Sequence, residues 1–340
     1  HRDEFDIPVV GITGSNGKTM VKEWLYQIMS PDVCVTRSPR SYNSQIGVPL
    51  SVWLLNEHTQ LGIFEAGISQ PGEMRALRGI IQPTIAVLTN LGAAHQENFE
   101  SMQAKCKEKI QLFHDAQTVV YDADDSVIAA EVEASGYPGE RLCWSLTDAH
   151  APMYISRIDK GDAHTLVTYS YQGGAEQHYQ LPFIDDASIS NSIVCATVAL
   201  HLGVSAAALA LRMQQLEPIA MRLEVKEGQH GCTLINDSYN SDVNSLDIAL
   251  DFMRRRPDHQ GRRRTLILSD IEQSGLTPQS LYGEVAQLCQ QRGVERFIGI
   301  GPQLCAAADE ITIADKSFFE SVDAFVASPV FHTLRDEVIL

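Results

Sequence analysis

The segment Gly11-Ile-Thr-Gly-Ser-Asn-Gly-Lys-Thr19 constrains the fold of this chain more than any other part of its sequence. The apolar residues before it predict a buried strand, and an apolar 3.6-residue period after it predicts a helix over 19–29. A glycine-rich turn between a strand and a helix lets backbone N–H groups approach phosphate oxygens. Lys18 can then bridge β- and γ-phosphates, and the Thr19 hydroxyl can ligate Mg²⁺. We therefore predict a nucleotide site formed by Gly14, Ser15, Asn16, Gly17, Lys18 and Thr19.

Short apolar strands alternate with amphipathic helices, which predicts an α/β fold with a mostly parallel sheet covered on both faces. From 153 to 183 the apolar period changes to two residues, with a turn at Gly173-Gly174, which predicts a small antiparallel unit. Glu217-Pro218 is the best candidate for a linker, and a second, Rossmann-like α/β domain follows it. We predict strands at 8–13, 61–65, 84–88, 118–121, 232–236, 264–268 and 294–300, and helices at 188–202, 205–216, 245–255 and 279–291.

Length, charge and cysteine usage set further limits. A chain of 340 residues exceeds the size at which one core stops growing, so we expect two domains, 1–216 and 217–340. The net charge of −17 leaves little for a basic face that could bind nucleic acid. The arginine clusters at 254–256 and 262–264 could contact nucleic acid, but in so acidic a chain they are interpreted as solvated loops. Seven scattered cysteines without a Cys-x-x-Cys pair indicate reduced thiols in a cytoplasmic protein. We expect neither a membrane span nor a signal peptide.

The phosphate loop has an uncommon form, because Ile12 stands where the common loop has its first glycine. The pattern Thr-Gly-x-x-Gly-Lys-Thr resembles the Mur ligase family, which joins amino acids or peptides to a carboxylate with ATP. Similar segments extend over nearly the whole chain. Leu88-Thr-Asn-Leu-Gly-Ala-Ala-His95 resembles that family's Thr-Asn-x-x-x-x-His segment. The resemblance implies that Asn90 lies beside the nucleotide and that His95 ligates a second Mg²⁺.

Two more residues match metal ligands of that family. Glu65 ends an apolar strand, so its carboxylate would emerge at the carboxyl edge of the sheet, beside the loop, and the resemblance implies that it ligates Mg²⁺. Lys109 lies four residues before Phe113, as the family's modified lysine lies before an aromatic residue, which implies that CO₂ carbamylates it. A carbamate is a hard anionic ligand, and its formation needs a neutral amine with a lowered pKa. Lys105 and Lys107 are interpreted as a solvated face.

Other matches lie farther along the chain. Asn191 matches an asparagine that the family places against adenine, although a helix N-cap is an alternative for it. Arg222, in Met-Arg-Leu-Glu, resembles an arginine that reaches the ATP phosphates, for which a bidentate guanidinium is suited. Asp237 would contact the ribose, and Tyr282 stands where the family often has a histidine. The resemblance thus assigns catalysis to Lys18, His95, Lys109 and Arg222, and metal binding to Thr19, Glu65, His95 and Lys109.

Asn43-Ser-Gln-Ile-Gly-Val-Pro-Leu50 and Asp237-Ser-Tyr-Asn240 resemble most closely the MurF type, the ligases that add D-alanyl-D-alanine to a UDP-N-acetylmuramoyl-tripeptide. Val21-Lys-Glu-Trp-Leu-Tyr26 resembles the version fused to an alanine racemase. This implies peptidoglycan precursor synthesis in two steps: ATP converts the peptide carboxylate to an acyl phosphate, and the dipeptide amine then attacks it. It also implies an amino-terminal UDP-sugar domain outside this chain, an incomplete carboxyl-terminal domain, and a fragment with weak or no activity alone.

Two other functions stay open from the sequence. The first is a ligase with another acceptor, either a different Mur ligase or a folylpolyglutamate synthase, which product analysis would separate. The second is a non-catalytic nucleotide-binding module, which would have no need for Glu65, His95 or Lys109. Phosphate release that depends on both the carboxylate and the amine substrate would exclude this module.

Overall fold

The computed structural model describes residues 1–92, 98–219, 223–238, 242–256, 261–272, 274 and 276–340. The chain divides into two compact units, His1–Glu217 and Pro218–Leu340. The linker was expected at Glu217-Pro218, where these two units adjoin in sequence.

A six-stranded parallel sheet forms the centre of the first unit. Its strands, in chain order, are β1 (Val9–Thr13), β2 (Val35–Arg37), β3 (Leu61–Glu65), β4 (Ile85–Leu88), β5 (Thr118–Val120) and β6 (Glu140–Arg141). Their order in the sheet is β2-β3-β1-β4-β5-β6. Every residue of β1, β3, β4 and β5 is buried, as expected for strands covered on both faces. The carboxyl ends of β3, β1 and β4 therefore lie side by side at one edge.

Helices pack around the strands of the first unit. They are α1 (Lys18–Met29), α2 (Gly47–Val52), α3 (Glu73–Ile81), α4 (Met102–Lys109), α5 (Ser126–Ala134), α6 (Asp186–His201) and α7 (Ala206–Met213). The predicted apolar stripe of α1 is fully buried, and α1 packs against α6. Trp24 in this stripe stacks on Phe183 at 5.0 Å between ring centroids, and its Nε1 donates to the Glu217 carbonyl at 3.0 Å. The helix expected to reach residue 216 ends earlier, at Met213.

The predicted antiparallel unit is a separate four-stranded sheet of the first unit. It contains β7 (Trp144–Ser145), β8 (Met153–Lys160), β9 (Thr165–Tyr171) and β10 (Gln177–Leu181) in the order β10-β9-β8-β7. β8, β9 and β10 pair antiparallel, whereas the short β7 runs parallel to β8. Gln172 and Gly173 both have positive φ in the turn after β9, which explains the glycine there.

The second unit contains another six-stranded sheet. Its strands are β11 (Glu224–Glu227), β12 (Thr233–Asn236), β13 (Arg263–Ser269), β14 (Arg296–Ile300), β15 (Asp315–Phe319) and β16 (Glu337–Ile339), in the order β11-β12-β16-β13-β14-β15. Only β11 runs antiparallel among these described strands. Its helices are α8 (Val243–Arg255), α9 (Pro278–Arg292), α10 (Pro302–Ala306) and α11 (Val322–Val326). The predicted fold class, a parallel α/β domain with an antiparallel unit followed by a second α/β domain, is thus confirmed.

The arginine clusters differ from the expected solvated loops. Arg262 donates to Thr233 Oγ1 at 2.9 Å and to the Glu337 carbonyl at 3.0 Å, and Arg255 Nε lies 2.6 Å from Asp251 Oδ2. The solvated interpretation is therefore wrong for these two residues, because acceptors within their own unit bind the guanidinium groups.

All seven cysteines are free thiols. Among the helices that the structure describes, none has both the length and the apolar character needed to cross a membrane.

Candidate functional site

The phosphate loop connects β1 to α1 at the carboxyl edge of the first sheet. Gly14 has φ +146° and Gly17 has φ +82°, a region in which residues with a Cβ are strained. A Cβ on Gly14 would lie 1.9 Å from Thr89 Oγ1, so the segment after β4 leaves no space for any side chain there. Both backbone shape and packing therefore require glycine at this position.

The segment that follows β4 supports the loop through hydrogen bonds. Ser15 N donates to the Asn90 carbonyl at 3.0 Å, and Asn16 N donates to Asn90 Oδ1 at 2.9 Å. Ser15 Oγ accepts from Gly92 N at 2.8 Å, and Thr89 Oγ1 donates to the Asn16 carbonyl. The structure thus places Asn90 against the loop itself, where it fixes the direction of two backbone N–H groups.

Helix α1 begins at this loop without a side-chain cap. Its N-cap is Gly17, whereas the N-caps of α6 and α9, Asp185 and Thr277, accept backbone N–H groups with their side chains. The first N–H groups of an α-helix have no partner within the helix and attract anions. Asn191 lies inside α6 with Oδ1 beside Gly17, so the alternative of an N-cap is wrong for Asn191.

Two lysines contact the phosphate loop, and a third contacts the segment after β4 that supports it. Lys18 Nζ donates to the carbonyls of Gly14 at 2.8 Å and Ser15 at 3.0 Å, and Lys109 Nζ donates to the Gly14 carbonyl at 3.1 Å. Lys105 Nζ donates to the Gly92 carbonyl. Lys105 is only 1% exposed, so its interpretation as part of a solvated face is wrong, while Lys107 is exposed as predicted. Basic side chains gathered around one loop of a very acidic chain would attract an anion.

Burial lowers the pKa of Lys109 well below its usual value, and the positive charges of Lys18 and Lys105 lower it further. The charged form of an amine is disfavoured both by loss of hydration and by neighbouring cations. A lowered pKa increases the neutral fraction of the amine, and only this fraction can react as a nucleophile.

Glu65 and Thr19 place two side-chain oxygens next to each other at the start of α1. Thr19 Oγ1 donates to Glu65 Oε2 at 3.1 Å and lies 2.9 Å from Ser41 Oγ, and Asn43 Nδ2 donates to Glu65 Oε2 at 3.4 Å. Glu65 Oε1 has no directed hydrogen bond and lies 3.0 Å from Nζ of the buried Lys22. We did not predict Lys22 as a site residue, although its position four residues after Lys18 puts both on one helix face.

These oxygens fit a hard divalent cation such as Mg²⁺. Mg²⁺ is usually bound through one or two carboxylates together with phosphate oxygens and water, and a phosphate-loop hydroxyl is a common ligand. Within the described part of the chain, no group of three or more His, Cys, Asp or Glu side chains could hold a metal by itself. Glu65 and Thr19 would therefore hold the ion together with a nucleotide rather than as a closed protein site.

The structure does not bring every predicted residue into this arrangement, and it does not describe all of them. His95 and Arg222 lie outside the described residues, as do Tyr239 and Asn240. Asp237 belongs to the second unit, where its Oδ1 accepts from Leu223 N at 3.1 Å.

A cleft of about 180 Å³ lies at the carboxyl ends of β12 and β13 in the second unit. Its polar lining residues are Asn236, Asp237, Ser238, Asp242 and Ser269. Tyr282 is fully buried near these strands, and its hydroxyl accepts from Ile271 N at 3.1 Å. Tyr282 therefore supports the segment after β13 from the core.

Comparison with known proteins gives a family match. The family described as Mur ligase middle domain matches residues 12–199, which is more than half of the chain. This range contains the phosphate loop, Glu65, Lys109 and Asn191.

Curated relatives share this pattern over most of the chain. The UDP-N-acetylmuramoyl-tripeptide–D-alanyl-D-alanine ligase of Bacillus subtilis (strain 168) is 23% identical over 301 residues, covering 88% of this chain and 64% of the relative. The protein of the same name from Treponema pallidum (strain Nichols) is 28% identical over 312 residues, covering 91% of this chain and 65% of the relative. The chain thus spans slightly less than two thirds of the length of these relatives.

Solved structures show the same fold. A crystal structure of MurF from Acinetobacter baumannii matches with a TM-score of 0.84 and 21% identity, covering 100% of this chain and 74% of that one. The MurF ligase from Thermotoga maritima in complex with ADP matches with a TM-score of 0.81 and 20% identity, covering 99% and 76%. The α/β architecture described above is therefore that of these ligases.

Proposed function

This chain belongs to the Mur ligase family, and we propose that it acts in an ATP-dependent ligation that joins D-alanyl-D-alanine to a UDP-N-acetylmuramoyl-tripeptide. The curated relatives carry this activity in their names. The observation that carries the proposal is the convergence of Lys18, Lys109, Thr19 and Glu65 on one buried loop at a sheet edge.

The reaction must convert an unreactive carboxylate into an electrophile. The γ-phosphoryl group of ATP moves to the terminal carboxylate of the tripeptide, which gives an acyl phosphate and ADP. The amine of D-alanyl-D-alanine then attacks the acyl carbon, the amide bond forms, the C–O bond to phosphate breaks, and the amine loses a proton. Phosphoryl transfer requires mainly positioning and neutralisation of charge from the protein.

Different residues in and around the loop would provide this positioning and charge neutralisation. Gly14 and Gly17 let the loop backbone turn toward phosphate oxygens, and Lys18 supplies a positive charge at the loop. Asn90 holds the N–H groups of Ser15 and Asn16 in place, and Asn191 borders the loop at Gly17. Mg²⁺, held by Thr19 and Glu65, would supply further charge neutralisation at the phosphates.

Lys109 has a separate role in this proposal. Its amine adds to CO₂ and loses a proton, which yields a carbamate with two oxygen atoms in place of an ammonium. Its burial, its lowered pKa and its place at the Gly14 carbonyl support this modification. The carbamate would be a third oxygen ligand near the nucleotide, whereas a free ammonium would repel a divalent cation.

Further parts of the proposal depend on residues beyond this site. His95 as a metal ligand, Arg222 at the phosphates and Asp237 at the ribose stay predictions. An amino-terminal domain for the UDP-sugar and a fused alanine racemase also stay predictions. The placement of the reaction in the cytoplasm rests on the free cysteines.

Phosphate release from ATP tests the function. We expect the complete gene product to release phosphate only when a UDP-N-acetylmuramoyl-tripeptide and D-alanyl-D-alanine are both present, and mass spectrometry to find the pentapeptide product. Product formation with single amino acids instead would indicate another ligase. Phosphate release without any carboxylate acceptor would contradict the proposal.

A further inference from the structure

Lys22 is a buried cation that the proposed function does not use. It lies on α1, one turn after Thr19, and its side chain is fully buried. Nζ lies 3.0 Å from Glu65 Oε1 and 3.0 Å from Glu23 Oε1, and it donates a hydrogen bond to the Arg40 carbonyl. The Arg40 carbonyl accepts one of the three N–H donors of the ammonium, and the two carboxylate oxygens lie at ion-pair distance from it.

The two oxygens of Glu65 have different neighbours. Oε1 faces Lys22, whereas Oε2 accepts from Thr19 Oγ1 at 3.1 Å and from Asn43 Nδ2 at 3.4 Å. A carboxylate without such contacts can rotate and offer either one or both oxygens to a metal ion. With Oε1 held by a cation, only Oε2 remains on the side of the phosphate loop.

The position of Lys22 is itself fixed by surrounding contacts. Glu23, its second carboxylate partner, also accepts from Arg37 Nε at 3.0 Å. The Arg37 guanidinium carbon lies 3.4 Å from the centroid of the Tyr26 ring, and a cation over an aromatic face is attracted to it. The Lys22 ammonium could therefore move with Glu65 only by losing its contacts with Glu23 and with the Arg40 carbonyl.

We propose that Lys22 is a positioning residue that holds Oε1 of Glu65, so that Oε2 alone is presented beside the Thr19 hydroxyl to the divalent cation of a bound nucleotide. The inference rests on the proposed function, because it concerns the cation that accompanies ATP or ADP. In this proposal, Lys22 determines whether one oxygen or both oxygens of the Glu65 carboxylate bind the cation.

This arrangement favours Mg²⁺ over Ca²⁺. Mg²⁺ is small and requires near-octahedral geometry, which single-oxygen ligation by a carboxylate permits. Ca²⁺ is larger, accepts six to eight oxygens and is often bound by both oxygens of one carboxylate. Releasing Oε1 from Lys22 would allow two-oxygen ligation, and hence would weaken the discrimination against Ca²⁺.

The experiment measures the affinities of Mg²⁺ and Ca²⁺ for the ADP complex of the 340-residue chain by calorimetry. In Lys22→Met, which keeps the length of the side chain and removes the charge, we expect the ratio of Mg²⁺ to Ca²⁺ affinity to fall about tenfold, as for other residues that orient a metal ligand. The affinity for ADP in EDTA should stay within about twofold of wild type. Lys107→Met is the matched control, because Lys107 is exposed, and it should behave as wild type.

Glu23→Gln is a second, milder variant that leaves Lys22 and Glu65 in place. It removes one charged partner of Lys22, and we expect a fall in the same ratio of about two- to threefold. This variant keeps the inference testable if Lys22→Met does not fold.

An unchanged ratio in either variant, or an equal loss of both cations, would overturn the inference, because a purely structural role would not distinguish Mg²⁺ from Ca²⁺. A wild-type chain that binds ADP equally well with Mg²⁺ and with EDTA would instead contradict the proposed function, and the role of Lys22 would fall with it.

Discussion

Asn191 lies directly against Gly17, so that a Cβ on Gly17 would be 2.3 Å from Asn191 Oδ1. The two residues are far apart in sequence, yet α6 presents this amide to the first residue before α1. Contacts under 3.0 Å to a Cβ do not occur without displacement of a neighbour. The phosphate loop is therefore held between α6 on one side and the segment after β4 on the other.

Gly17→Ala should destabilise the chain more than a matched glycine substitution does. Gly72 is the control, because it is also an N-cap, with φ +88° and ψ −12° against +82° and −14° for Gly17, and a Cβ there meets nothing within 4 Å. Gly72→Ala should cost about 1 kcal/mol from backbone strain alone. Gly17→Ala should cost at least about 1 kcal/mol more from the clash. Urea unfolding measures both values.

The added cost should depend on Asn191. In a Gly17→Ala/Asn191→Ala double variant, the clash partner is removed, and the difference between the Gly17 and Gly72 substitutions should largely disappear. If the double variant is destabilised by the sum of the two single effects, the contact does not restrict Gly17.

Glu65→Gln should weaken nucleotide binding only when a divalent cation is present. The amide keeps the shape of the side chain but loses the negative charge beside Thr19. We expect the affinity for ADP with Mg²⁺ to fall about 10- to 100-fold and the affinity in EDTA to be unaffected. Calorimetry measures both, with Glu57→Gln as a control on an exposed glutamate. Equal affinity losses with and without Mg²⁺ would argue against a metal ligand.

Lys109 should carry a carbamate when CO₂ is supplied. With ¹³C-labelled bicarbonate, we expect a carbamate carbon signal in the NMR spectrum of the wild-type chain and none in Lys109→Ala. Lys107→Ala should keep the signal, because Lys107 is exposed and paired only loosely with Glu131 at 3.8 Å. A spectrum in which the signal survives in Lys109→Ala would place the modification elsewhere.

Asp122→Asn should stabilise the chain at neutral pH. Burial raises the pKa of Asp122 to about 6 in the folded state, against 3.8 as its ordinary value. Unfolding therefore releases a proton between pH 3.8 and 6, and the contribution of this group to stability falls as pH rises through that window. Asparagine keeps an oxygen for the Asp124 N–H, which Asp122 Oδ1 accepts at 2.9 Å, and carries no charge.

The expected gain at pH 7 is about 1 kcal/mol, because solvent screening of a half-buried group reduces the value that the shift alone would give. At pH 4 the gain should be much smaller, since Asp122 is then neutral in the folded chain and only partly ionised in the unfolded chain. Denaturant unfolding at pH 7 and pH 4 measures this difference, and a gain that is equal at both values would contradict the assignment to Asp122.

Local patterns in the sequence were sufficient for most of the secondary structure. The strands at β1, β3, β4 and β5 are short apolar runs between polar turns, and the period of α1 predicted its buried face correctly. The phosphate loop was recognisable because its chemistry is contained in nine consecutive residues. Such features depend on neighbours in sequence, so that they can be predicted without a structure.

Features that depend on distant neighbours were missed or wrong. The polar sequence of its helix predicted that Lys105 is solvated. Its side chain is instead buried, and its ammonium donates to the Gly92 carbonyl on a different segment. The sequence also allowed Asn191 as a helix N-cap. In the structure the N-cap of α6 is Asp185, whose side chain accepts from Ser188 N at 2.7 Å. The role of Lys22 depends on Glu65, 43 residues away, which no local pattern reveals.

Strand β16 lies in the middle of the second sheet, between β12 and β13, although it follows β12, β13, β14 and β15 in the chain. During translation, β12 and β13 leave the ribosome before β16, and they are not paired with each other in the sheet. The position between them is filled only when residues 337–339 emerge, so β12 and β13 gain their shared neighbour only after synthesis of this segment. Nascent chains paused before this point should therefore expose two unpaired strand edges and recruit chaperones.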